Sequence, residues 1–165
     1  MKPVTTIALR RNTAIKSEAI VESTALSMIR EEIPEGAMLW SFDPTVPANE
    51  ELVYCVDGEG TREWTQHVEH GFGLVNWAAK KVLIPNETTG DLTAAIRVTL
   101  IDKDRETLCF VSTGIAASLD LLRTFRGDGP YEPPIFVVFR QVKTRRGFAT
   151  LKMRPAPMVE GGKTK

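Results

Sequence analysis

The sequence predicts a mainly β domain with two helices, an α+β chain whose antiparallel strands form an OB-like β-barrel. Three patterns carry that expectation. Short β-branched and aromatic runs recur between turn residues from about residue 37 to 154. Two of the intervening turns, at Asp102-Lys103-Asp104-Arg105 and Lys143-Thr144-Arg145-Arg146-Gly147, have hairpin character. Only two stretches, 17–32 and 114–126, carry apolar residues at helical spacing.

Taken in order, residues 1–16 read as a flexible basic arm, with Lys2, Arg10, Arg11 and Lys16 and no acid. Ser17 can cap a helix that runs to about Glu32, with Ile20, Ala25, Met28 and Ile29 on its apolar side. Pro34-Glu35-Gly36 ends it, and 37–42 reads as a strand closed by Asp43-Pro44. Leu52 to Val56 reads as a second strand, stopped by Asp57-Gly58-Glu59-Gly60. Residues 61–77 fit no single period. Lys80 to Ile84 is extended, and 85–91 is a loop. Ala94 to Ile101 and Leu108 to Ser112 flank the first hairpin turn. A helix follows, with Ile115, Leu119, Leu122 and Phe125 inward and Asp120 and Arg123 outward. Gly127 to Pro134 delivers the chain to the second hairpin, and 155–165 reads as a disordered tail. The core domain is thus expected over 17–154.

The bulk numbers are those of one globular unit: 165 residues, 42% apolar and 25% charged. No stretch approaches the ~20 apolar residues of a membrane span, and no signal peptide is evident, so a cytoplasmic protein is expected. Cys55 and Cys109 sit in apolar surroundings and read as free thiols.

Charge is more telling by distribution than by sum. The total is zero, yet residues 133–165 carry +7 and residues 1–132 carry −7. The second hairpin concentrates that excess. Alternation puts Phe148, Thr150, Lys152 and Arg154 on one face, and Ala149, Leu151 and Met153 on the core face. On the preceding strand either Phe139 and Lys143 or Arg140 shares the first face, depending on register. Arg145 and Arg146 occupy the turn. Cations beside aromatics on an open sheet suit a polyanion with stackable bases. The bland alternative is that edge strands carry cations to prevent aggregation. Trp64, flanked by polar residues, is the tryptophan expected to be exposed and able to stack.

Other chemistries find less support. His67 and His70 form a His-x-x-His pair, but only Glu63 or Glu69 is nearby as a further ligand, so no metal site is assigned. The carboxylates Asp91, Asp102 and Asp104 sit in turns, where such residues are ordinary. No phosphate-binding loop or acid–base–nucleophile set stands out, so neither enzyme nor cofactor is expected.

A longer series of segments carries a likeness. Asn86-Glu87-Thr88-Thr89-Gly90 precedes Ala95-Ile96-Arg97-Val98-Thr99-Leu100-Ile101-Asp102-Lys103-Asp104. Val111 to Leu119, Tyr131-Glu132-Pro133-Pro134 and Gln141 to Phe148 follow. In this order, over about 64–154, the chain resembles the small single-stranded DNA-binding proteins encoded by phages, plasmids and other mobile elements. The resemblance implies a barrel that coats single strands during replication or recombination, alongside replication proteins and open to homo-oligomer formation. Many such proteins end in an acidic recruiting tail, whereas this sequence ends Gly161-Gly162-Lys163-Thr164-Lys165. The acidic stretch 31–70, with ten Asp and Glu against Arg62 alone, could serve in its place.

The sequence therefore points to single-stranded DNA held by Arg140, Lys143, Arg145, Arg146, Lys152 and Arg154, with Phe148 and Trp64 stacking on bases. Two rivals make different demands. A protein-interaction or virion module would use the hairpin on an acidic partner. A metal-dependent nuclease would use His67, Glu69 and His70.

Overall fold

A computed structural model describes residue 33, residues 36–68 and residues 70–156. The expected arm over 1–16, the helix over 17–32 and the tail beyond residue 156 lie outside the described residues. Among the described residues, seven strands form two antiparallel sheets, accompanied by two α-helices.

The larger sheet is built on β3 (Asn76–Pro85) and β4 (Leu92–Ile101), which pair along their full length from Asn76↔Ile101 to Pro85↔Leu92. β1 (Met38–Trp40) and β5 (Thr107–Val111) flank them, in the order β1-β3-β4-β5. Asp102 makes the β4–β5 turn as the sequence suggests, its Oδ1 accepting from the N–H groups of Asp104 and Glu106. Because β1 and β5 are short, the far half of the β3–β4 hairpin stands free as a ribbon. Leu83 and Leu92 are exposed there.

The smaller sheet has the order β2-β6-β7, from β2 (Phe72–Leu74), β6 (Ile135–Lys143) and β7 (Ala149–Pro155). Its main hairpin is the predicted basic one, turned at Gly147 with a φ of 83° that glycine adopts without strain. β7 runs to Pro155, one residue into the expected tail.

The main core lies between the sheets. One face of β3 and β4 supplies Trp77, Ala79, Ile96, Val98 and Leu100. The smaller sheet supplies Phe72, Leu74, Val137, Phe139 and Met153. Helix α2 (Thr113–Arg126) closes one side with Ile115, Ala116, Leu119 and Leu122. Ser112 caps it, accepting from the Ile115 N–H. The opposite face of the larger sheet is covered by α1 (Glu50–Asp57), whose Leu52 and Val56 meet Ala78, Ile101 and Phe42.

Three expectations need correction or narrowing. Leu52–Val56 is helical, not a strand: Leu52 and Val56 are buried while Tyr54 between them is exposed, whereas a strand would put all three on one face, and Glu50 and Glu51 suit the positive first turn. Asp120 and Arg123 point inward. Arg123 Nη1 meets Asp120 at 3.2 Å, its Nε meets Asp128 at 2.9 Å, and its guanidinium lies 5.0 Å from the Trp77 ring centroid. That pairing and stacking let the helix bury a cation. The α+β class and the seven strands are observed, but the two sheets are not closed into a barrel. Among the described residues no helix is long and apolar enough to cross a membrane.

Candidate nucleic-acid interface

The register of the basic hairpin decides what its outer face displays. Phe139 pairs with Met153, and both are buried, so Phe139 belongs to the core. Arg140 pairs with Lys152 and Val138 with Arg154, so Phe136, Val138, Arg140, Thr150, Lys152 and Arg154 share the outward side. Lys143 has the parity of Phe139 and lies at the exposed hairpin end, off this strip. Arg145, Arg146 and Phe148 are exposed at the turn, Phe148 at 71%. Thr144 holds that turn, its N–H donating to the Phe148 carbonyl and its Oγ1 accepting from the Phe148 N–H.

Phe136 is the residue that sequence reading missed. It is 58% exposed and pairs with Gly73, whose missing side chain leaves the ring uncovered. A Cβ at that glycine would lie 3.7 Å from the Phe136 ring. The signal was available: with Val137 and Phe139 inward, alternation turns Phe136 and Arg140 outward.

The strip is electrostatically one-sided. No Asp or Glu occurs between residues 133 and 156. Among the described residues, no ion pair engages Arg140, Lys143, Arg145, Arg146 or Arg154. Arg140 and Lys152 stand directly opposite each other, which sets two cations side by side on the outer face.

Edge protection is a poor explanation for these charges on β7. The free edge of that strand is already covered by α2. Met153 N–H donates to Ser118 Oγ at 3.1 Å, and Ser112 Oγ donates to the Leu151 carbonyl at 3.4 Å. Gly114 lies against the same carbonyl, with no room for a side chain.

The remaining candidates fall elsewhere. Trp64 lies in a 3₁₀ turn (Trp64–His67), half-buried against the main core beside Leu108, Cys109 and Phe110, and is not on the strip. His67 turns inward: its Nδ1 is 3.1 Å from the Gly71 carbonyl, and its ring meets the Phe72 ring edge-on. His70 is exposed, and Glu69 lies outside the described residues. Among the described residues, no group of three or more His, Cys, Asp or Glu is placed to hold a metal ion. Both cysteines are free and half-buried. Burial pushes the Cys55 thiol upward, helped by Glu51 and opposed by Arg105. Cys109 Sγ lies 3.5 Å from both Arg97 Nη2 and Thr99 Oγ1.

No family model matches the chain, and no curated protein or solved structure is significantly similar to it.

Proposed function

We propose that this protein binds single-stranded DNA without catalysis or cofactor, coating it during replication or recombination with little sequence preference. The observation that carries the reading is the acid-free outer face of β6 and β7, where Arg140, Lys152 and Arg154 lie between exposed Phe136 and exposed Phe148. The cations would neutralise phosphates, with Lys143, Arg145 and Arg146 extending the track at the turn. The two rings would stack on bases, which tolerates any base identity. From Phe136 to the turn the strip spans about 26 Å at ~3.3 Å per residue. That length suits the lower end of the ~4–16 nucleotide sites of single-strand binders.

The resemblance to mobile-element single-strand binders supports the same reading, as does the open sheet face, which serves whether or not the strands close into an OB-like barrel. Such a role places the protein in the cytoplasm, beside replication proteins.

The test is fluorescence anisotropy with labelled single- and double-stranded oligonucleotides of about 30 nucleotides, ample for one site. Six phosphate contacts predict a slope of log affinity against log salt near −4, or about a 300-fold loss from ~50 to ~200 mM. Arg145→Ala with Arg146→Ala should flatten that slope by about 1.4. Phe136→Ala and Phe148→Ala should each cost about 1–3 kcal/mol, the range for one stacked base. Absence of binding at low salt, or affinity indifferent to salt, defeats the reading. Binding that needs the arginines but ignores both phenylalanines would favour an acidic protein partner instead.

A further inference from the structure

Two exposed patches flank the strip, the first sharing Arg154 with it, and they are complementary. The first is a cleft of ≈ 410 Å³ along the seam between α2 and β7. Leu121, Phe125, Met153 and Pro155 line it, with Arg126 and Arg154 also at its walls. Phe125 is 80% exposed, the most exposed large apolar side chain among the described residues. A ring in that position is costly to leave in water and is typical of a contact surface.

The second patch is the outer side of α1. Leu52 and Val56 turn toward the sheet, so Tyr54, halfway between them, is carried to the far side and is 71% exposed. Glu50, Glu51 and Asp57 stand four, three and three residues from it, on the same helical face. Glu51 also reaches Arg105 at 3.6 Å, but that pair is open to solvent and weak. The face is an aromatic ring ringed by carboxylates. It matches an apolar cleft walled by guanidinium groups.

One molecule cannot join its own two patches. α1 lies on the Ala78 and Ile101 face of the larger sheet, whereas α2 lies on the Val98 and Leu100 face. The patches therefore sit on opposite sides of the fold. Contact between different patches on successive copies is heterologous and propagates instead of closing at a pair.

We propose that the α2–β7 cleft receives the Tyr54 face of α1 from a second copy of this chain, joining copies head to tail. The ring enters the cleft, and Arg126 and Arg154 face Glu50, Glu51 and Asp57. This contact needs no nucleic acid, so it stands or falls apart from the DNA-binding reading.

Sedimentation velocity of the full chain without nucleic acid tests it. The wild type should show a sedimentation coefficient that rises with concentration past that of a dimer and falls with added salt. Tyr54→Ala retains the cleft and loses the ring; Phe125→Ala does the reverse. Each alone should remain monomeric, with an unchanged circular dichroism spectrum. Mixed in equal amounts they should form a dimer and nothing larger, since one sound cleft and one sound ring are available per pair. Arg126→Glu should shift wild-type association to at least tenfold higher concentration. A wild type that remains monomeric to about 1 mM, the weak end of specific association, overturns the proposal. So does a wild type that stops at a dimer, or a mixture of the two variants that stays monomeric.

Discussion

Replacing Gly114 with alanine tests how closely α2 is seated on β7. Gly114 is the second residue of that helix, where alanine would normally stabilise by about 1 kcal/mol. Here its Cβ would lie 2.2 Å from the Leu151 carbonyl oxygen and 2.6 Å from Thr150 Oγ1. The hydroxyl can rotate away, but the carbonyl belongs to a strand laddered to β6 and cannot. Ordinary contact begins at 3.4 Å, so the helix would have to retreat by about 1.2 Å. That retreat would stretch the 3.1 Å bond from Met153 N–H to Ser118 Oγ beyond useful length. Overpacking costs about 1–3 kcal/mol and a lost buried hydrogen bond about as much again. Less the gain in helix propensity, Gly114→Ala should destabilise by about 1–5 kcal/mol. For a domain of this size that lowers Tm by roughly 2–20 °C. Thermal unfolding followed by circular dichroism reads it directly. Gly127→Ala is the comparison for a purely conformational cost: its φ of 81° and ψ of −178° lie in a region essentially reserved to glycine, but nothing lies within 4 Å, so it should lose only that backbone cost, of order 1–3 kcal/mol. A Gly114→Ala protein as stable as the wild type would refute the close seating.

Arg123→Met should cost about 3–5 kcal/mol in urea unfolding, because it removes the cation that pairs with the buried Asp120 carboxylate. Adding Asp120→Leu should recover part of that loss, since a well-packed apolar pair can replace a buried ion pair. Cys55 should alkylate more slowly than a free cysteine near pH 8.5, because its thiol is held above the ordinary range by burial. The sign for stability follows: the folded state keeps the proton longer, so this contribution is full below the unfolded thiol pKa and is lost as pH rises through the folded one. Cys55→Ser should flatten the alkaline fall in stability, read from urea midpoints across that range.

Much of this arrangement is legible along the chain because it depends on near neighbours. The two hairpins follow from strand runs bounded by turn residues, and α2 follows from the helical spacing of Ile115, Leu119 and Leu122. The division of β7 into a core face and a basic face follows from period-two alternation and holds toward the end of the strand, with Met153 buried and Arg154 exposed, whereas Ala149, expected on the core face, is exposed at the hairpin end. The charge asymmetry is a property of composition and needs no fold.

What the chain leaves open depends on distant partners. Leu52 and Val56, four apart, share a side in a strand as well as in a helix, so their spacing cannot distinguish the two. The sheet surface at Ala78 and Ile101 decides for the helix, and in doing so turns Tyr54 outward. Asp120 and Arg123 look solvent-facing by charge, yet Trp77 and Asp128 arrive from elsewhere to receive them. The choice between Arg140 and Lys143 on the strip is a matter of register between β6 and β7, and a slip of one residue would exchange them. Phe136 is uncovered because the strand beside it carries Gly73 at the matching position. Local sequence sets which faces each element has; only the packed neighbours determine which face is left for a ligand.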